Sequence, residues 1–144
     1  MKPLVKRVLT LLAFLAVLST VVVGIRYKLK EKAQKKREAA YESSLRSYRQ
    51  ELKPGMTRKE VEGYLKAKNT PLMRMCCVDS GGNRSSLDDL TRIGQEDAPW
   101  FCSENNVYIA FQFSEYERHD GMPSANDLDT LKTVSIYRWL EGCL

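Results

Sequence analysis

The chain has 144 residues, 43% of them hydrophobic, and a formal net charge of +5. This length has room for one small domain after an N-terminal targeting segment. The positive charge is confined to one end: residues 1–40 carry ten Lys or Arg against two Glu, whereas residues 41–144 carry thirteen Lys or Arg against sixteen Asp or Glu. The mildly acidic remainder has no basic face for phosphate groups, which argues against nucleic-acid binding.

An apolar run begins at Val8 and ends at Ile25, after a basic tail at residues 1–7. About 20 helical residues cross a bilayer core. The run is long for the apolar region of a cleaved signal peptide and lacks an A-x-A cleavage site. These features predict an uncleaved transmembrane signal anchor at residues 8–25, with membrane lipid contacting its apolar side chains and basic flanks. A cleaved signal peptide is the alternative.

Two signals disagree on the orientation of this anchor. Residues 26–40 are good helix formers and predict a charged helical juxtamembrane linker before a small α+β domain at residues 41–144. The linker holds seven Lys or Arg, which by the positive-inside rule favours a cytoplasmic domain. The four cysteines favour an oxidising compartment. We predict a single-pass protein of the inner (cytoplasmic) membrane whose C-terminal domain is extracytoplasmic, in the periplasm.

Two helices separated by a short turn are predicted next. Pro54 and Gly55 end the first helix, because Pro does not extend a helix and Gly adopts the positive φ of a tight turn. Thr57 and Glu60 have the spacing of a capping box, which begins the second helix. The first helix has one apolar face, with residues at helical spacing: Tyr41, Leu45, Tyr48 and Leu52.

Three segments in the rest of the domain predict a three-stranded antiparallel sheet. Residues 72–78, 107–113 and 131–140 are rich in apolar and β-forming residues, and the second of these alternates regularly. The segment between the first two strands is polar and turn-rich. Within it, Leu87, Leu90 and Ile93 are spaced as in a short helix.

Four cysteines indicate structural disulfides: Cys76, Cys77, Cys102 and Cys143. Neighbouring strand residues face opposite sides, so a bond from Cys102 to Cys76 or Cys77 leaves the other one for Cys143. Buried free thiols in a reduced compartment are the alternative. The vicinal pair lacks the C-x-x-C spacing of zinc ligands, and we predict no metal or other cofactor.

No catalytic constellation is apparent in the sequence. His119 is the only histidine and precedes an aspartate, but neighbours in sequence do not make a triad, which is assembled in space. Asp88 with Asp89, and Asp127 with Asp129, lack the spacing of a calcium loop. We interpret these four as solvated loop charges. The sequence therefore predicts a protein that is not an enzyme and has no small-molecule substrate.

The junction between the two predicted helices follows the pattern L-x-x-G-M-T-x-x-E-V-x-x-x-L. The matching residues are Leu52, Gly55, Met56, Thr57, Glu60, Val61 and Leu65. Over these positions the chain resembles the SmpA/OmlA family of envelope proteins, the BamE type. The resemblance implies an ααβββ module, as in β-lactamase-inhibitor-like repeats, that binds partner proteins at the bacterial envelope. The lipid-anchored cysteine and the L-G-x-P after the second helix of that family are missing here.

We predict a membrane-anchored, non-catalytic interaction or scaffold module that is stabilised by disulfides and binds an envelope protein. The alternative is a thiol-based redox or metal-responsive protein that uses Cys76 and Cys77. The candidate partner surface consists of four aromatic residues: Tyr41, Tyr48, Trp100 and Phe101.

Overall fold

The computed structural model describes residues 3–76, 87–114 and 124–144. The chain divides into two compact units, Met1–Ala40 and Tyr41–Leu144. The described elements are two helices and four strands: α1 (Pro3–Glu51), α2 (Arg58–Ala67), β1 (Met73–Cys76), β2 (Leu87–Glu96), β3 (Glu104–Ser114) and β4 (Thr130–Glu141).

The first unit consists of the N-terminal part of α1. Its described apolar side chains between Leu11 and Ile25 are exposed, and the helix continues from there through charged residues to Glu51. Over the described ranges, no helix is both long enough and apolar enough to cross a membrane. The predicted signal anchor at residues 8–25 and the single-pass, inner-membrane localisation with an extracytoplasmic domain are therefore wrong. The prediction treated the apolar run as a separate element, whereas it is part of a helix that is charged over much of its length.

The second unit contains an antiparallel sheet with the strand order β1-β2-β3-β4. One face of this sheet packs on the C-terminal turns of α1 and on α2. The core between the sheet and the two helices contains Leu45, Leu52, Val61, Leu65, Ile109, Phe111, Phe113, Leu131 and Val134. Both helices are amphipathic in this unit, so the sheet removes their apolar faces from water.

The sheet has four strands rather than the predicted three, because residues 87–96 form β2 instead of a short helix. A register irregularity lies between Arg92 and Gly94 in this strand. The spacing by three that indicated a helix places Leu87 and Leu90 on opposite faces of the strand. The strand also buries polar groups where apolar residues are expected to alternate: Asp88, Asp89 and Thr91. The predicted ααβββ architecture is therefore wrong, because the sheet has a fourth strand.

The outer edge of β4 is covered over its first half by the end of α1 and the following turn. Arg49 donates from Nε and Nη2 to the carbonyl of Val134, at 2.9 and 2.7 Å. Gly55 N donates to Leu131 O, and Leu131 N donates to Met56 O. These bonds occupy main-chain groups that an edge strand otherwise exposes, and they fix the turn to the sheet.

The junction between α1 and α2 contains the predicted turn and capping box. Gly55 has a φ of +92°. Thr57 Oγ1 accepts a hydrogen bond from Glu60 N, and the Glu60 carboxylate accepts one from Thr57 N at 2.7 Å. The Thr57 hydroxyl and N–H together lower the pKa of Glu60. The resulting stability is present above the ordinary pKa of a glutamate and is lost as the pH falls through the lowered value.

We expect Gly55→Val to lower the free energy of unfolding by about 1–3 kcal/mol, because a β-branched residue is strained at positive φ. Lys59→Ala, at an exposed position of α2, is the control and should change it by less than about 0.5 kcal/mol. Urea denaturation of both variants measures the difference. Equal losses of stability in Gly55→Val and Lys59→Ala would contradict a turn with positive φ at Gly55.

Gly94 lies directly against the ring of Tyr41. A Cβ at position 94 would be 2.6 Å from Cε1 and from Oη of that ring. The ring has little room to move, because Tyr41 is 5% exposed and its hydroxyl donates to Gln95 O at 3.3 Å. The absence of a side chain at position 94 therefore allows the first turn of this unit to approach β2.

We expect Gly94→Ala to lower the free energy of unfolding by about 1–3 kcal/mol, the usual cost of overpacking. Gly63→Ala is the matched control, since nothing lies within 4 Å of a Cβ at that position of α2. It should raise stability by about 0.5–1 kcal/mol, because alanine is the better helix former. Thermal and urea unfolding compare the two. A Gly94→Ala protein as stable as Gly63→Ala would show that the ring yields.

Candidate functional site

A buried guanidinium lies at the N-terminus of α2. Arg58 is 1% exposed. Its Nη1 lies 2.8 Å from Asp89 Oδ1, and its Nε lies 3.2 Å from Asp129 Oδ2. The first contact is an ion pair by distance, although its N–H is not aligned for a hydrogen bond. The guanidinium also donates to the Leu87 carbonyl and lies 3.9 Å from the centroid of the Phe113 ring. We call Arg58, Asp89 and Asp129 the Arg58 cluster.

A second arginine reaches this cluster from β1. Arg74 Nε lies 3.2 Å from Asp89 Oδ1, and its Nη2 lies 2.6 Å from Glu62 Oε1. Burial disfavours the Arg74 cation, but the hydrogen bond and charge of Asp89, joined by Glu62, outweigh it and raise the pKa of Arg74. The cluster therefore holds α2 to the first two strands.

The Arg58 cluster has the arrangement of a structural ion-pair network. Its carboxylates contact arginines of the same chain, so they are not poised for a substrate or an ion. The main chain adds to it, since Arg58 N donates to Asp129 O at 2.7 Å and Asn126 N donates to Asp129 Oδ2 at 2.8 Å. We conclude that it fixes the segment before β4 against α2.

The burial of these carboxylates differs from the sequence-based interpretation as solvated loop charges. Asp88, Asp89 and Asp129 are 1–2% exposed, and only Asp127 of the four is exposed. No periodicity in the sequence marks them, and the interpretation missed Arg58 altogether. The nearest signal is the position of Asp88 and Asp89 between two leucines of one short segment.

Metal ligands and surface cavities were the remaining features of the described residues that could mark a site. The described residues include no set of three or more His, Cys, Asp or Glu side chains placed to hold a metal ion. A surface groove of about 570 Å³ runs along α2, and its charged lining residues, Lys59, Glu62, Lys66 and Asp127, are of both signs. His119 and Cys77 lie outside the described residues.

A disulfide joins the segment before β3 to the segment after β4. Cys102 Sγ and Cys143 Sγ are 2.03 Å apart. Two main-chain hydrogen bonds flank the disulfide: Ser103 N to Glu141 O at 3.0 Å, and Leu144 N to Phe101 O at 2.9 Å.

This pairing differs from the predicted bond between Cys102 and Cys76 or Cys77. The strand order is the reason, because Cys102 and Cys143 lie at adjacent ends of the neighbouring strands β3 and β4, whereas β2 separates β1 from β3. Cys76, on β1, is also disulfide-bonded.

Aromatic and aliphatic side chains are exposed around the Cys102–Cys143 disulfide. Trp100 is 91% exposed and Phe101 is 41% exposed, with their rings edge to face at 5.8 Å between centroids. Trp139 and Leu140, near the end of β4, are 37% and 40% exposed. We call Trp100, Phe101, Trp139 and Leu140 the disulfide-end surface.

The structure separates the four aromatic residues of the candidate partner surface. Trp100 and Phe101 lie on the disulfide-end surface. Tyr41 is buried against β2, and Tyr48 is half-buried with its ring edge to face on Phe111, at 5.4 Å. The two tyrosines belong to the apolar face of α1, which packs on the sheet.

The resemblance at residues 52–65 to the SmpA/OmlA family stays a prediction. Protein-family models, curated proteins and solved structures give no match for this chain.

Proposed function

We propose that the second unit is a non-catalytic, disulfide-stabilised module that binds another protein through the disulfide-end surface. The exposure of Trp100 is the observation that carries this proposal. Tryptophan is among the residues that most often dominate the binding energy of an interface. Single exposed apolar residues are common, but Trp100 and Phe101 contact each other, and two further exposed apolar residues lie at the same end of the sheet.

The turn that carries Trp100 is held in place before any partner arrives. Cys102 N donates to Pro99 O at 2.9 Å and closes the turn. The disulfide and the hydrogen bond from Leu144 N to Phe101 O hold it from the other side. A preorganised side chain loses less conformational entropy on binding, which favours the use of this turn as an anchor.

The proposed relation to the SmpA/OmlA family agrees with this class of function. It rests on the sequence pattern of residues 52–65, and members of that family act by binding partner proteins. The alternative thiol-based function needs free vicinal thiols at Cys76 and Cys77. Cys76 is disulfide-bonded, and no observation on the described residues favours that alternative.

A photocrosslinking amino acid at position 100 of the full chain tests the proposal. We expect it to crosslink a specific protein, whereas the same group at Leu128, which is 48% exposed, should not. The captured protein is then purified and titrated with the wild-type chain. We expect Trp100→Ala to weaken that binding by about 30-fold, the loss of a residue worth 2 kcal/mol.

Leu128→Ala is the matched control and should bind as tightly as wild type. Circular dichroism of Trp100→Ala should be unchanged, because the side chain is almost fully exposed. Equal affinity of wild type and Trp100→Ala for the captured protein would contradict the proposal.

A further inference from the structure

Carboxylates outnumber guanidinium groups in the two segments that carry the disulfide-end surface. Within residues 92–105 and 138–144 the charged residues are Arg92, Glu96, Asp97, Glu104, Arg138 and Glu141. Arg138 Nε lies 3.0 Å from Glu96 Oε1, so these two charges offset each other. Arg92 donates to the neutral side chain of Gln95 at 3.1 Å.

Three carboxylates remain without an ion pair to a described residue. Asp97 is exposed. Glu104 accepts from Asn106 Nδ2 at 2.8 Å, and Glu141 accepts from the Tyr108 hydroxyl at 3.1 Å. Both donors are neutral, so these hydrogen bonds bring no positive charge to Glu104 or Glu141.

The pKa of Tyr108, beside two of these carboxylates, is raised. Burial is the largest cause of its raised pKa, followed by the hydrogen bond and charge of Glu141. The charge of Glu104 adds to the shift, whereas that of Arg92 opposes it. The direction is upward chiefly because burial disfavours the phenolate, and the two carboxylates act in the same direction.

An exposed apolar centre with a charged border is the usual anatomy of a protein-binding surface. The border charges select partners, because like charges brought together cost free energy and opposite charges speed association. Here the border is acidic. Two copies joined symmetrically through this surface would face each other with the same charges, which disfavours a second copy as the occupant.

We infer that the partner protein presents an apolar side chain flanked by lysines or arginines to the disulfide-end surface. The inference rests on the proposed function, because it assigns the chemistry of the partner at the same surface. The apolar side chain packs against Trp100 and Phe101, and its basic neighbours lie beside Asp97, Glu104 and Glu141.

Two fluorescent peptides with the same leucine-rich centre test the inference, one flanked by lysines and the other by glutamates. Their anisotropy is followed during titration with the full chain. We expect the lysine-flanked peptide to bind at least about tenfold more tightly, a difference of 1.4 kcal/mol. Its affinity should fall as salt is added, because salt screens exposed charges.

Variants assign the binding to the proposed surface. Asp97→Lys should weaken the lysine-flanked peptide and strengthen the glutamate-flanked one. Glu51→Lys, an exposed charge reversal at the last residue of α1, is the matched control and should change neither. Trp100→Ala should weaken both peptides.

Each contrary outcome has its own meaning. Equal binding of both peptides, lost in Trp100→Ala, would overturn the basic partner and leave the proposed function standing. Lysine-flanked binding that Trp100→Ala does not weaken, or no peptide binding, would overturn the inference. Sedimentation of the full chain alone completes the set: self-association abolished by Trp100→Ala would make a second copy the occupant and overturn it too.

Discussion

Arg58→Ala is expected to lower the free energy of unfolding by about 3–5 kcal/mol. The substitution leaves Asp89 and Asp129 buried at 1% and 2% exposure without the cation that lies between them. It also removes the guanidinium from the ring of Phe113. A buried carboxylate that loses an arginine partner costs far more than a lost surface contact. Urea denaturation of the variant and wild type measures the loss.

Three further variants separate this cause from a general loss of side-chain packing. Arg46→Ala, at an exposed position of α1, should change stability by less than about 0.5 kcal/mol. Arg58→Lys should lose an intermediate amount, because an ammonium keeps the charge but not the planar fork. Asp89→Asn should destabilise the wild type yet partly restore Arg58→Ala, since it removes a buried negative charge that has lost one of its two arginines. If the losses of stability in Arg58→Ala and Asp89→Asn add in the double variant, the two residues do not interact, which would contradict the Arg58 cluster.

Replacing both Cys102 and Cys143 by Ser is expected to lower the free energy of unfolding by about 4 kcal/mol. The bridge closes a loop with a sequence separation of 41 residues, and its loss restores conformational freedom chiefly to the unfolded chain. In the folded chain the turn around Trp100 and the end of β4 should exchange amide hydrogens faster, since a restraint on the end of the strand is lost.

The single variants Cys102→Ser and Cys143→Ser are the controls for this result. Each breaks the same bridge, so each should lose about as much stability as the double variant. If the double variant retains the stability of wild type, the bridge does not restrain this end of the sheet. The lysine-flanked peptide should also bind the double variant more weakly, because the turn is no longer preorganised.

Local chemistry made the junction between the helices predictable. The turn at Pro54 and Gly55 and the cap formed by Thr57 and Glu60 depend on residues within one turn of each other. Strand β3 (Glu104–Ser114) was predictable for a similar reason. Residues 107–113 are rich in β-forming residues and place large apolar side chains at every second position. In both cases the deciding contacts lie close together in sequence.

Long-range contacts made the remaining features unpredictable. Arg58 and Asp129 are 71 positions apart, and each resembles an ordinary surface charge in its own segment. Strand β2 was missed because it buries Asp88 and Asp89, whose burial depends on partners elsewhere in the chain. Its apolar residues are also spaced by three, as in a helix. The disulfide pairing followed from the strand order, which a count of cysteines does not give.

The exposure of the four aromatic residues was only partly predictable. Trp100 and Phe101 are apolar residues in a polar segment, which marks them as either buried or functional. Tyr41 and Tyr48 have the spacing of a packed helical face, and they belong to the core for that reason. Exposure, rather than aromatic character, separates the two pairs.

Peptide mapping of the full chain, purified without reductant and treated with an alkylating reagent, tests most directly whether the cysteines are structural. We predict a linked peptide pair containing Cys102 and Cys143, and no alkylation of either residue before reduction. That result would support a rigid turn that presents Trp100 to a partner protein. Rapid alkylation of both cysteines in the folded chain would contradict the disulfide and the preorganised surface built on it.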